Sequence, residues 1–222
     1  GGAGSDTVSY ASSDAPVIVN LSAVTLGGVA SMRGSGGYAN NDEYTSIENV
    51  IGSSGNDIFY ASADTAAAAN RFDGGGGTHN RVSYEAATAD LTVNLITNAG
   101  SGGALGDTYA NIQDVTGGAG NDTFVANSSV NFFDGGGGTH NRVNYASDTT
   151  ALIINLSDKT ASGVAAGIGS GGNAAGDTYT NIQDATGGSG NDTFIASSAE
   201  NRFDGGAGSD TVSYASSDAP VI

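Results

Sequence analysis

Apolar residues along this chain come in short runs separated by Gly, Asn, Asp and Ser. TVSY (7–10), PVIVNL (16–21), RVSY (81–84), LTVNL (91–95), RVNY (142–145) and LIINL (152–156) are examples. Runs of four to six β-branched and aromatic residues bounded by turn formers predict strands. No stretch sustains the 3.6-residue apolar spacing of an amphipathic helix. The longest helix candidate, DTAAAAN at 64–70, is too short to hold alone.

The runs recur in a fixed order. A glycine cluster opens at Gly1, Gly74, Gly135 and Gly205, and the steps sum to 204 residues. After each cluster come a TVSY-type segment, a run ending in Asn-Leu and a variable Gly/Ala/Ser stretch. EYTSIENVIG (43–52), TYANIQDVTG (108–117) and TYTNIQDATG (178–187) follow, each leading into a second glycine motif: GSSGNDIF, GGAGNDTF or GGSGNDTF. A short FD segment closes the unit. The expected units are 1–73, 74–134 and 135–204, with 205–222 opening the next, and the whole is one solenoid. Residues 205–222 repeat 1–18 letter for letter, as in an excerpt from a longer tandem array.

Gly117 to Gly135 is 18 residues, and so is Gly187 to Gly205. Eighteen residues make one coil of a flattened solenoid with a turn at each end, so paired glycine motifs should stack on one edge about 4.8 Å apart. The matching gap in the first unit, Gly52 to Gly74, is 22 residues and should carry a bulge. The expected fold is all-β: a right-handed parallel β-solenoid of the β-roll type.

Composition narrows the function. The net charge is −17, with 23 acids against 6 bases, which excludes binding to nucleic-acid phosphates. No run approaches 18 apolar residues, so membrane insertion is not expected. Without Cys there is no disulfide, thiolate zinc site or Cys nucleophile. Collagen is excluded because the glycines cluster instead of falling every third residue. The high charge would suit a disordered chain, but 38% of residues are hydrophobic and recur in strand-like runs. Among the acids Asp far outnumbers Glu, which suits turns and hard oxygen ligation.

GGSGNDTFI and GGAGSDTVS resemble the GGxGxDxUx nonapeptide of the RTX (repeats-in-toxin) family. The longer pattern is similar to the repeats of giant secreted bacterial RTX adhesins. In that family the GGxGxD turn supplies carbonyls and the Asp carboxylate to a calcium ion held between stacked turns. The resemblance therefore implies Ca2+ as cofactor. Its ligands would come first from the turn of Gly187, Gly188, Gly190 and Asp192 and its partner of Gly205, Gly206, Gly208 and Asp210. Asp6 shares the phase of Asp210. The turn of Gly117, Gly118, Gly120 and Asp122 ranks next, because its partner reads GGGGTHN with His140 where Asp belongs. Asp57, in GSSGND, ranks last, since it faces His79 across the 22-residue gap. Glycine is expected to supply positive φ in these turns. The alternative is that the turns merely stack, closed by their own Asx hydrogen bonds.

Other recurrences have blander readings. His79 and His140 share a phase, yet one His per unit is too few for a zinc site. Tyr10, Tyr84, Tyr145 and Tyr214, and Tyr44, Tyr109 and Tyr179, suggest stacked aromatic rows. Asn20, Asn94 and Asn155 should form a ladder or cap a corner. Asp73, Asp134 and Asp204, just before the glycines, read as solvated acids.

No HExxH, GxSxG or Walker motif is present, and GIGSGG at 167–172 lacks the strand and helix a dinucleotide site needs. The expectation is no enzyme. It is instead a calcium-stabilised shaft, spacer or surface-layer element of an extracellular protein exported by type I secretion. Its partners would be neighbouring copies of the repeat, with surface or matrix glycans as further candidates. A glycan- or ice-binding face, or an accessory roll of a secreted hydrolase or epimerase, is the alternative.

Overall fold

The computed structural model describes residues 1–62 and 69–218. Most of the helix candidate at 64–70 lies outside these. Strands are two to four residues long, and in most of the three-residue strands the middle side chain is fully buried, as in Asn49–Ile51, Arg71–Asp73 and Arg142–Asn144. That is the period-2 alternation of a strand with one face on a core. Among the described residues no helix is long and apolar enough to cross a membrane.

The strands fall into four parallel stacks. The first holds Thr7–Ser9, Asn49–Ile51, Arg71–Asp73 and Thr108–Ala110. The second holds Ile18–Asn20, Ile58–Tyr60, Arg81–Ser83, Asp114–Thr116, Phe132–Asp134 and Thr178–Thr180. The third holds Leu91–Asn94, Thr123–Val125, Arg142–Asn144, Asp184–Thr186 and Phe203–Asp204. The fourth holds Ile153–Asn155, Thr193–Ile195 and Thr211–Ser213.

The 18-residue coil is present. Val115 pairs with Phe133, Ala185 with Phe203 and Phe194 with Val212. Phe124 pairs with Val143, one residue longer. In the first unit Val50 pairs with Phe72 and Phe59 with Val82, so the extra residues between Tyr60 and Arg71 leave the stacking intact.

Two features were not expected. First, the solenoid is not wholly parallel. The variable Gly/Ala/Ser stretches turn back, and Arg33–Ser35, Ala99–Gly102 and Gly169–Ser170 pair antiparallel with the Asn-ending strands. Secondly, each repeat moves over by one stack. Asn49–Ile51 lies in the first stack, its counterpart Asp114–Thr116 in the second and Asp184–Thr186 in the third. The units therefore interlock instead of standing as separate beads, and each leans on its neighbours for hydrogen bonds.

The core is a thin strip between stacks. Val19, Phe59, Val82, Val115, Phe133, Phe72, Val143 and Ile154 are fully buried. Phenylalanines from facing stacks lie ring on ring, Phe124 on Phe133 at 5.5 Å and Phe59 on Phe72 at 5.8 Å, within the range of favourable offset stacking.

Candidate metal centre

Within each pair the two glycine turns stack as the spacing requires, and successive pairs join successive strand stacks. Gly76 N–H donates to the Ser53 carbonyl, Gly137 to Gly118 and Ala207 to Gly188, at 2.7, 2.7 and 2.9 Å. The stacked turns are of two kinds.

In the turns at 52–57, 117–122 and 187–192 the glycines keep ordinary φ, contrary to the expectation of positive φ throughout. Glycine is needed there for close approach. A Cβ on Gly188 would meet the Asp148 carbonyl, and one on Gly190 the Thr150 carbonyl. The closing carboxylates are buried and bound to backbone N–H groups. Asp192 accepts from Gly188 at 2.8 Å and Leu152 at 2.9 Å. Asp122 accepts from Gly118 at 2.7 Å and Leu91 at 3.1 Å. Asp57 accepts from Ser53 at 2.6 Å and Val17 at 2.7 Å. Burial nevertheless pushes the Asp122 carboxyl up to about 6.

In the turns at 1–6, 74–80, 135–141 and 205–210 the second and fourth residues take positive φ, for example Gly136 at 70° and Gly138 at 76°. Here the expected conformational use of glycine holds.

The residue stacked on Asp122 is Asn141, not His140. Asp122 N–H donates to Asn141 Oδ1 at 2.8 Å, just as Asp57 donates to Asn80 and Asp192 to Asp210, both at 2.9 Å. The GGGGTHN turn is one residue longer than GGAGSD, and the histidine occupies the insertion. His79 and His140 instead face Asp114 and Asp184, at 3.2 and 3.4 Å. Among the described residues, no cluster of three or more His or acidic side chains could hold a metal. A cation must therefore draw on backbone carbonyls.

Asn and Asp at this one position behave oppositely. The Asn80 amide donates to the Gly76 and Asn111 carbonyls at 2.6 and 2.9 Å. The Asn141 amide donates to the Gly137 and Asn181 carbonyls. These turns close without an ion. Asp6 and Asp210 cannot donate when ionised. Asp6 Oδ2 is buried with no hydrogen-bond partner. It lies beside Gly1, and so does the Ser46 carbonyl, which sits where the Asn111 carbonyl sits beside Gly74. Ser46, like Asn111 and Asn181, has left-handed φ near 50°. The neighbouring Gln113, whose side chain accepts from Asn80 N–H, is replaced by Glu48, which accepts from Asp6 N–H at 2.9 Å.

The side chains and the facing carbonyl of the Asp6 pocket are thus acceptors only: one orphaned carboxylate oxygen, one carbonyl and a second carboxylate close by, while the Gly1 nitrogen beside them is taken up by the Thr45 carbonyl. Such a set suits calcium, which takes six to eight oxygens in tolerant geometry, and it is costly without a counter-charge. Asp210 has the same turn sequence, with the Asp192 turn stacked beneath it. Asp6 and Asp210 would hold the ion together with turn carbonyls and, at Asp6, that of Ser46.

Several polar groups went unrecognised in the sequence. Tyr84 and Tyr109 hydroxyls touch at 2.6 Å, and Tyr84 donates to Asp107 at 2.7 Å. Tyr145, Tyr179 and Asp177 repeat this at 2.7 and 2.6 Å, and Tyr10, Tyr44 and Asp42 at 2.8 and 2.6 Å. Tyr10, Tyr84 and Tyr145 are thus hydroxyl-paired with Tyr44, Tyr109 and Tyr179 rather than merely stacked, while Tyr214 is half exposed. The signal was an acid two residues before the second tyrosine, in NDEY and GDTY. Asp73 and Asp134 are not simply solvated: each accepts from a turn glycine and from Asn111 or Asn181. Asn20 and Asn155 cap loops by donating to three carbonyls each. Asn94 instead accepts from Ile96 and Thr97.

The comparisons with known proteins agree with this geometry. Residues 185–216, which hold Asp192 and Asp210, match the RTX calcium-binding nonapeptide repeat in four copies. Residues 1–134 match the peptidase M10 serralysin C-terminal family. No curated protein gives a significant match. The chain carries calcium-binding RTX repeats and belongs to the serralysin C-terminal family.

Proposed function

We propose that this chain is a non-catalytic structural segment of a secreted bacterial protein, a shaft or spacer of the adhesin type stiffened by calcium at its Asp-closed turns. The observation that carries the reading is the hand-over of strands from stack to stack. It ties each repeat to the next and makes an array of them one continuous body. RTX repeats are typical of proteins exported by type I secretion, which favours an extracellular place. The charge of −17 keeps such an array soluble and self-repelling until cations bind.

Small-angle scattering and far-UV circular dichroism, in millimolar calcium and in EDTA, test the reading. An elongated β-rich particle in calcium that swells and loses β signal in EDTA supports it. Identical curves in both conditions contradict it.

The match of residues 1–134 to the serralysin C-terminal family favours a second reading, an accessory roll joined to a secreted peptidase. The sequence flanking this segment in the parent protein separates the two. Further 204-residue periods indicate a shaft, and an adjoining catalytic domain indicates the peptidase.

A further inference from the structure

A shallow cleft recurs beside the two amide-closed turns. One, of about 380 Å³, is lined by Thr78, His79, Gln113, Ser129 and Val130. The other, of about 450 Å³, is lined by Thr139, His140, Gln183, Ala199 and Glu200. The histidine is the inserted residue of GGGGTHN, and a GGAGSD turn stacks without it, so stacking does not require it. Each ring is braced from behind. Nδ1 of His79 and of His140 faces the carboxylates of Asp114 and Asp184, which are 3% and 1% exposed. Those carboxylates are themselves held by the Phe132 and Arg202 N–H groups, at 3.0 and 2.9 Å. Histidine, aspartate and glutamine occur as a set. At the turn 1–6, which has no histidine, Asn49 stands in for the aspartate and Glu48 for the glutamine.

We propose that these clefts bind an uncharged saccharide through a pair of neighbouring hydroxyl groups. An ionised carboxylate only accepts, so in the neutral ring Nδ1 carries the proton and Nε2 presents a lone pair. The Gln113 and Gln183 side-chain oxygens are taken up by the Asn80 and Asn141 N–H groups, at 3.0 and 2.9 Å. Each glutamine NH2 is thereby left as a donor. The two Nε2 atoms, the two glutamine NH2 groups and the Thr78 and Thr139 hydroxyls have no hydrogen-bond partner among the described residues. One sugar hydroxyl accepts from the glutamine and its neighbour donates to the imidazole, with the threonine beside them. An anionic ligand would meet Asp114 or Asp184 behind the imidazole, and the chain's charge of −17. A metal ion would find a single imidazole in each cleft. Val130, 48% exposed, gives the first cleft an apolar wall for the C–H face of a sugar. The second has Glu200 there instead, whose carboxylate accepts from further hydroxyls. Two clefts one repeat apart hold a repeating polymer more tightly than either alone. The inference goes beyond the shaft reading and does not depend on the calcium sites.

The test is an array of neutral and acidic oligosaccharides probed with the full chain in millimolar calcium. The chain should bind neutral sugars in preference to acidic ones. A His79→Ala/His140→Ala chain should bind the same sugars about tenfold more weakly, the loss of one hydrogen bond, with its circular dichroism and calcium response unchanged. Should that chain fail to fold, Thr78→Val/Thr139→Val gives a second readout, since neither hydroxyl is bonded within the fold, and the same weakening is expected. Binding to no neutral sugar, a preference for acidic sugars, or equal binding by the folded variants would overturn the proposal. A chain that keeps its calcium response yet holds no sugar leaves the structural function standing and removes only the clefts.

Discussion

The Asn80 side-chain amide donates to the Asn111 carbonyl at 2.9 Å; at the same turn position Asp6 brings a buried oxygen with no donor beside the Ser46 carbonyl. One turn geometry is closed in one repeat by an amide and in the other by nothing the chain itself provides. An unpaired buried acceptor costs about 1–3 kcal/mol. Asp6→Asn should therefore stabilise the chain in EDTA by an amount of that order. Thermal melts in EDTA check this, and an unchanged or lower melting point contradicts it.

The converse substitutions convert amide closure into ion closure. Asn80→Asp and Asn141→Asp replace a donor by an acceptor against two carbonyls. Each should destabilise the EDTA form by roughly 1–3 kcal/mol and regain most of the loss in calcium. Denaturant titration with and without calcium measures both terms.

Asp192 differs from Asp210 in its duties. Both Asp192 oxygens accept backbone N–H groups, from Gly188 and Leu152. Asp192→Asn sets an amide N–H against one of those donors and should cost about 1–3 kcal/mol with or without calcium. Asp210→Asn, in an exposed turn, should cost little in EDTA. Unfolding curves of the two variants in both conditions separate a turn cap from an ion ligand.

The solenoid was legible because its signals are local and repeated. Eighteen residues between Gly117 and Gly135 convert directly into Val115 opposite Phe133. The shift of each repeat by one stack was not legible, because it depends on how the Gly/Ala/Ser stretches fold back, and glycine-rich sequence encodes little register. Aligning GGGGTHN with GGAGSD letter by letter placed His140 in the Asp position. The backbone absorbs the extra residue before Asn141, so the role passes to the next side chain. The acid of each tyrosine pair, such as Asp177, was hidden among 23 acids, and only folding brings it to Tyr145.

That buried acid carries a pH dependence. Burial pushes the Asp177 carboxyl up to about 7, against the lowering effect of bonds from Tyr145 and Asn131. In the unfolded chain it titrates near 3.9. Between about pH 4 and 7 the folded state holds the extra proton, so this group's contribution to stability falls as pH rises through that window. Asp122, pushed up to about 6, acts in the same direction. In EDTA the melting point should drop from pH 5 to pH 8, and Asp177→Asn should flatten the slope. A melting point that rises over this range contradicts the assignment.

Removing one hydroxyl isolates the tyrosine network. Tyr84→Phe deletes the donor to Asp107 and the contact to Tyr109. With Tyr84 1% exposed, no water replaces them. A loss of about 1–3 kcal/mol is expected, read as a lowered midpoint in urea with an unchanged slope.

Calorimetric calcium titration of the unaltered chain and of the Asp6→Asn/Asp210→Asn chain addresses the Asp-closed turns most directly. The unaltered chain should bind calcium and the double variant should lose those equivalents while keeping its circular dichroism in EDTA. Equal stoichiometry in the two chains would contradict the claim that acceptor-only closure at these turns is what holds the ion.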